Sequence, residues 1–198
     1  MSRRPVDLAF SPSVKAVQER KGSRNLYDRM EMGSEIDADL AAFIGQVRSF
    51  YLATASADGQ PYIQHRGGPP GFLHVLDARR LAFADFKGNR QFISTGNLAE
   101  NPKAYIFLMD YAHRQRIKIW GTARVVEGDR ALEASMMPQD YRARAEQVIL
   151  FDVEAWDANC PQHIPQMFFA DDVAHAIAER DERIAELERA LAMFRQAE

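Results

Sequence analysis

Cysteine is nearly missing from this sequence. Cys160 stands alone among 198 residues, so no disulfide can form within the chain, and a reducing, cytoplasmic setting is expected. Positive charge is not in excess either. Lys and Arg number 25 against 28 Asp and Glu, a net charge of −3, which excludes a general basic field for nucleic acid but allows a local basic pocket. No apolar run approaches the roughly 20 residues that a membrane-spanning helix requires. The opening "MSRRPVDLAF" carries arginines without the long apolar stretch of a secretion signal. Repeats and low-complexity linkers are also wanting. What is present is a chain 46% hydrophobic, enough for one core-bearing domain with appended helices.

The first part reads as helical. Ser11 before Pro12 suits an N-cap and first helical position, predicting a helix to about Arg20. Ser34 followed by Asp37 resembles a capping start, and Ile36, Leu40, Phe43, Ile44 and Val47 then recur on one helical face that should end near Arg48. The pattern next changes to strands. "SFYLATAS", a hairpin turn "ADGQ" and the return "PYIQHRGG" come first. "GFLHVLDARRLAFADF" reads as two strands around Asp77–Arg80, followed by "KAYIFLMDY", "QRIKIWGTARVVEG" and "EQVILFDVEAWDAN". Helical interruptions are expected at about Arg90–Asn97 and Arg130–Met136. Short strands joined by tight turns predict a mostly β, α+β fold built on an antiparallel barrel over residues 1–170.

Residues 171–198 differ. Val173, Ile177, Ile184, Leu187, Leu191 and Phe194 fall on alternating d and a positions of a heptad, with Arg180 as the polar seam residue and charges on the flanks. This predicts a long amphipathic helix from about Asp171, whose stripe packs either on its own barrel or on a second subunit.

Between two strand-like runs lies "KGNRQFISTGN". A phosphate dianion needs converging donors, and here Gly88 permits a sharp turn while Asn89, Arg90 and Gln91 open the expected helix. Ser94 follows one turn beyond Arg90, and Asn97 closes the stretch. The alternative is an ordinary polar junction. In "QHRGGPPGFL" Arg66 stands at a strand end, and the glycines after it would let a flat ligand approach the backbone. In "HRQRIKIWG", Arg114 and Arg116 are spaced to share one strand face.

These pieces, in this order, resemble the pyridoxamine 5′-phosphate oxidase-like flavoproteins, the FMN-binding split-barrel family. The matching stretches are "FYLATASADGQPYIQHRGG", "LAFADFKGNRQFISTGNLAENPKAYIFLMDY" and "RIKIWGTARVV", from about Ala38 to Glu127. The resemblance implies a six-stranded antiparallel split barrel, a homodimer, and FMN at the subunit interface. It implies that the strand with His65, Arg66 and Gly67 passes beside the isoalloxazine and that Phe83, Ala84 and Asp85 run along the flavin. The phosphate would lie at Asn89, Arg90 and Gln91, where the family's Ser-Arg-Lys has lost one positive charge. Arg116 falls near a position that reaches the flavin from the neighbouring strand. True pyridoxamine 5′-phosphate oxidases end in a strand whose arginine and histidine bind the substrate's phosphate. This chain has the heptad helix there instead, which resembles one of the related branches.

In "WDANCPQHIPQ", Cys160 and His163 have the spacing of metal ligands but no second pair follows, so no metal is expected. A catalytic Cys–His pair and a simple Pro-rich connector are the alternatives. The family often brings a C-terminal Trp or polar residue onto the cofactor from the other subunit, which makes Trp156, Gln162 and His163 candidates to wall the flavin. The expected function is FMN-dependent oxidoreduction of a small molecule, with no nucleic acid or membrane as partner. A non-catalytic flavin carrier or redox sensor, or a split barrel that uses deazaflavin or haem, stands as the alternative.

Overall fold

The computed structural model describes residues 4–159 and 162–196. They form two compact units, one running to Asp110 and from Gln115 through the last strand, the other comprising Tyr111–Arg114 and the chain from Gln162 onward.

In the first unit, α1 (Val6–Ala9), α2 (Pro12–Arg20) and α3 (Arg24–Tyr27) precede α4 (Ala38–Gln46). Ser11 caps α2, its hydroxyl accepting from the Val14 N–H at 3.3 Å, with Pro12 in the first position where its missing N–H costs nothing. The cap of α4 is Asp37, not Ser34: its carboxylate accepts from the Leu40 N–H at 2.8 Å, adding negative charge where the helix dipole favours it. Leu40 and Ile44, one turn apart, are the buried face of α4.

The strands are β1 (Ser49–Ala55), β2 (Pro61–Gly67), β3 (His74–Asp77), β4 (Arg80–Phe86), β5 (Lys103–Asp110), β6 (Gln115–Val126) and β7 (Ala145–Asn159). They form one antiparallel sheet in the order β2-β1-β5-β6-β7-β4-β3. The expectation of six strands is therefore corrected to seven. "GFLHVLDARRLAFADF" folds as the hairpin its residues predict, with Asp77 accepting from the Arg79 N–H at 2.8 Å to hold the turn, and its first arm adds β3 at the sheet edge. Among the described residues no ladder joins β2 to β3 or β4, so backbone hydrogen bonds do not draw a closed barrel.

Alternation sorts the faces. Phe50, Leu52 and Thr54 of β1 point inward while Tyr51 between them is exposed, and Ala104, Ile106 and Leu108 of β5 repeat the pattern. Phe50 is the hub of the core. Its ring stacks on Phe72 at 5.5 Å and meets Phe83 edge-on at 5.0 Å, geometries that suit aromatic quadrupoles. β7 spans the sheet centre, pairing with β4 on one side and β6 on the other. Its ladder to β6 shifts register at Trp120/Gly121. A Cβ on Gly121 would lie 2.0 Å from the Asp152 carbonyl oxygen, so only glycine lets the backbones approach so closely. α6 (Arg130–Ser135) interrupts the β6–β7 connection close to where the sequence predicts it.

In the second unit, Tyr111 and Ala112 tie down the chain after residue 162: Gln166 Nε2 donates to the Ala112 carbonyl at 2.8 Å. Arg114 has φ 53 and lies in the turn before Gln115. It is not on a strand, so it does not share a strand face with Arg116 as expected. α7 (Ala170–Gln196) begins within a residue of the expected start and has no buried residue.

Candidate functional site

The site grows from the inward face of β2. On that strand Gln64 and Arg66 are partly covered while Ile63 and His65, alternating with them, face out. The Arg66 guanidinium pairs with the Asp85 carboxylate on β4, so side chains bridge strands that lie far apart in the sheet order. The two side chains are only 11% and 13% exposed. Asp85 is also held from its other side, by Gln147 of β7, whose Nε2 lies 2.8 Å from Asp85 Oδ2 and 2.8 Å from Thr95 Oγ1. Ser94 Oγ donates to Gln64 Oε1 at 2.8 Å. Arg66 Nη1 is engaged by Asp85, its Nε is buried without a partner, and its guanidinium lies 5.8 Å from the Phe83 ring centre.

β4 ends at Phe86, and the Lys87 N–H donates to the Arg144 carbonyl at 2.8 Å. The loop that follows is not helical. Arg90 and Phe92 have φ 59 and 52, in the left-handed region that a right-handed helix excludes, and α5 starts only at Ile93 (Ile93–Glu100). The expectation that Asn89, Arg90 and Gln91 open a helix is corrected accordingly. The Asn89 side chain accepts from the Gln91 N–H at 3.2 Å, an Asx turn of the kind that competes with helix. Left-handed non-glycine residues cost energy, and such strain collects at ligand-holding loops. Here it leaves the start of α5 without a side-chain cap, with its first N–H groups facing the loop's side of the helix.

Arg90 reaches across this loop to Glu146 of β7, Nε to Oε1 at 3.2 Å, and lies 5.4 Å from the Phe92 ring centre. The result is a cleft of about 190 Å³ between β2, the end of β4 and the start of α5. Of the expected site residues, Arg66, Asp85, Asn89, Arg90, Gln91 and Ser94 line it.

The others are placed elsewhere. His65 is on the outer face, edge-on to Tyr51 at 5.6 Å, and Gly67 is the last β2 residue, paired with Ser49. Ala84 is buried with Ala82, Met136 and Val148 in a second small core. Asn97 donates to Thr54 Oγ1 at 3.0 Å. Arg116 sits on β6 opposite Met109, where its charge opposes the desolvation and the Asp157 charge that push the Tyr105 phenol up. Trp156 is wedged on Gly33, whose added Cβ would meet Nε1 at 2.1 Å, and that Nε1 donates to the Glu35 carbonyl at 2.8 Å. Gln162 and His163 are exposed members of the second unit. Cys160 lies outside the described residues. Among the described residues no three metal-binding side chains gather, and no helix is long and apolar enough to cross a membrane.

Sequence reasoning does not reach Gln64, Phe92, Thr95, Glu146 or Gln147. Gln64 had a signal, since it precedes Arg66 by one strand period. Glu146 and Gln147 had none, because only the β4–β7 ladder brings them to the cleft.

A flavin phosphate fits these residues in part. For it stand the orphaned Arg66 Nε, the uncapped start of α5 and the strained turn before it. Against a dianion stand Asp85 and Glu146, which balance the two arginines of the cleft. Magnitudes separate the pairs. Arg66–Asp85 is nearly buried, and opening it would leave a desolvated charge at several kcal/mol. Arg90 is 59% exposed and Glu146 21%, so that pair is worth about 0–1 kcal/mol and yields readily to a stronger anion. Arg90 is thus the arm free to exchange partners, and Arg66 is a fixed strut. The cleft is also smaller than the roughly 300 Å³ at which small-molecule pockets begin, so it suits the phosphate end of a nucleotide rather than the whole.

The profile of the pyridoxamine 5′-phosphate oxidase family matches residues 36–160. Among solved structures, HupZ of Group A Streptococcus superposes with a TM-score of 0.52 at 19% identity, over 67% of this chain and 99% of that one. A protein of Lactobacillus delbrueckii, named as a candidate pyridoxamine 5′-phosphate oxidase, gives a TM-score of 0.51 at 18% identity, over 65% of this chain and 99% of that one. At these identities the likeness concerns the fold alone. No curated protein matches the sequence.

Proposed function

This chain belongs to the pyridoxamine 5′-phosphate oxidase family, and from that premise we propose that it is a cytoplasmic FMN-dependent oxidoreductase acting on a small molecule. The observation that carries the reading is the junction of β2, β4 and α5, where the largely exposed Arg90 pairs with Glu146 beside an uncapped helix start. FMN, when bound, supplies a ring that accepts a hydride from one substrate and passes electrons to another. The chain's own residues supply the grip. Arg90 leaves Glu146 for the phosphate, the first N–H groups of α5 add partial positive charge, and Ser94 and Asn89 offer further polar contacts. Arg66, locked to Asp85, sets the floor of the cleft. A cleft too small for a whole nucleotide supports a homodimer in which a second copy covers the rest of the flavin, and a split barrel is the architecture this reading adopts.

The test is the spectrum and mass of the ligand that the purified protein retains or takes up. Flavin absorbance with the mass of FMN, together with oxidation of a reduced nicotinamide, is expected. Retention of FAD alone, a deazaflavin or haem spectrum, or no binding at micromolar FMN would overturn the cofactor assignment. Tight FMN without turnover would make the protein a flavin carrier instead.

A further inference from the structure

α7 is 27 residues long, about 40 Å at 1.5 Å per residue. Its seam is uncovered: Ile177, Ile184, Leu187 and Leu191 are 51–54% exposed and Phe194 is 78% exposed. A solitary helix of this kind is marginal in water, because propensity alone scarcely offsets its ordering, and an apolar stripe of this length calls for a partner. We propose that the partner is α7 of a second copy, wound with it in a parallel, in-register two-stranded coiled coil. This inference does not depend on the flavin reading.

The seam residues favour that geometry. Ile177, Ile184 and Leu191 occupy a positions, and Val173, Arg180, Leu187 and Phe194 occupy d positions. Ile177 and Ile184 at a with Leu187 at d follow the pattern that favours two parallel strands. The flanking charges choose the direction. In the parallel register Arg183 at g faces Glu188 at e of the other copy, on both sides of the seam. Arg180 at d packs beside Asp181 of the other copy, which offsets the approach of the two guanidiniums. Turning one helix round with full overlap instead sets Asp181 against Glu188 of the other copy, a like-charge contact made twice on the flank where the e positions meet. Within the single chain Arg183 falls back on Glu186, at 2.8 Å, an exposed i,i+3 pair of small value. Arg180 in an otherwise apolar seam then serves register: a slip by a heptad sets one copy's Arg180 against Val173 and Ala174, with no carboxylate beside it.

The test uses the full chain with its natural thiol removed by Cys160→Ser. In that background Leu191→Cys is compared with Glu182→Cys, an outward f position, in a glutathione redox buffer at micromolar protein. The parallel pair expects near-complete disulfide dimer for Leu191→Cys and at least tenfold less for Glu182→Cys. An antiparallel pair holds the two 191 positions about 16 Å apart at 1.5 Å rise per residue, beyond disulfide reach. Charge reversal supplies a second readout: Arg183→Glu and Glu188→Arg should each raise the dissociation constant of the helix-mediated association at least threefold, and the double variant should restore it. Equal crosslinking at both positions, no crosslinking at Leu191, or a double variant no tighter than the singles would overturn the proposal, as would a chain that is monomeric by light scattering at all concentrations.

Discussion

Gln147 and Asp85 are joined twice, as ladder partners on β7 and β4 and through the Gln147 amide 2.8 Å from Asp85 Oδ2. With Arg66 on its other side, the Asp85 carboxylate is held between two strands that do not otherwise meet. Replacing Gln147 with Leu should leave one oxygen of Asp85 without its donor and cost about 1–3 kcal/mol. Asp85→Ala should cost more, roughly 3–5 kcal/mol, because it strands the Arg66 charge in a nearly buried place. Urea denaturation checks the order, and two equal, negligible losses would show that the network bears no strain-free load.

Arg90 should behave in the opposite way. Its pair with Glu146 is exposed enough that Arg90→Ala should leave the melting temperature of the flavin-free protein unchanged. The same change should weaken FMN binding by about 1.5–3 kcal/mol, the worth of a charge-assisted hydrogen bond. Glu146→Gln should tighten binding, since it releases Arg90 and removes a carboxylate from the cleft. Flavin fluorescence titrations measure both. Unchanged affinity in Arg90→Ala would place the phosphate elsewhere.

The stripe of α7 predicts a division of labour. Burial of Ile184 and Leu187 in a helix pair is worth roughly 1.5–3 kcal/mol each, so replacing both with Asp should loosen the association or lower its melting temperature while leaving the flavin cleft intact. A variant with unchanged assembly and melting that loses its flavin would put the helix in the active site instead.

Tyr105 predicts an alkaline limb of stability. Desolvation, followed by the Asp157 charge, raises the phenol above its usual value of 10.0. The folded chain therefore holds this proton more tightly than the unfolded chain does. Its contribution is complete below about pH 10 and is lost as pH climbs from there through the folded value. Tyr105→Phe should flatten that limb relative to the parent protein. Thermal melts over about two pH units centred on the free phenol value make the comparison. Parallel curves would show that Tyr105 ionises freely.

Much of the fold was legible because its signals are local. The alternation in "SFYLATAS" gives β1, and Ser11–Pro12 gives the start of α2. The residues themselves predict the hairpin that makes β3, while the family resemblance counts one strand too few. The start of α5 was not legible. Asn89, Arg90 and Gln91 are all compatible with a helix, and nothing in their side chains announces that Arg90 and Phe92 turn left-handed. The loop's tie to β7, Arg90 to Glu146, is likewise a long-range contact with no local signal. The cleft divides along the same line. Arg66, Asp85, Asn89 and Arg90 stand out in their own segments, whereas Glu146 and Gln147 matter only once β7 lies beside β4. Trp156, expected to wall the flavin from the other subunit, packs within its own chain on Gly33 and Glu35.

The position of β7 has a further consequence, for the order in which a nascent chain matures. β7 is the last strand to be synthesised, yet it lies between β6 and β4. Until Ala145–Asn159 has emerged from the ribosome, both of those strands present open edges, and non-local pairing of this kind is slow and exposes apolar surface meanwhile. During that interval Asp85 has no Gln147 and Arg90 has no Glu146. The cleft between β2, β4 and α5 is thus complete only once β7 has slotted in between β6 and β4.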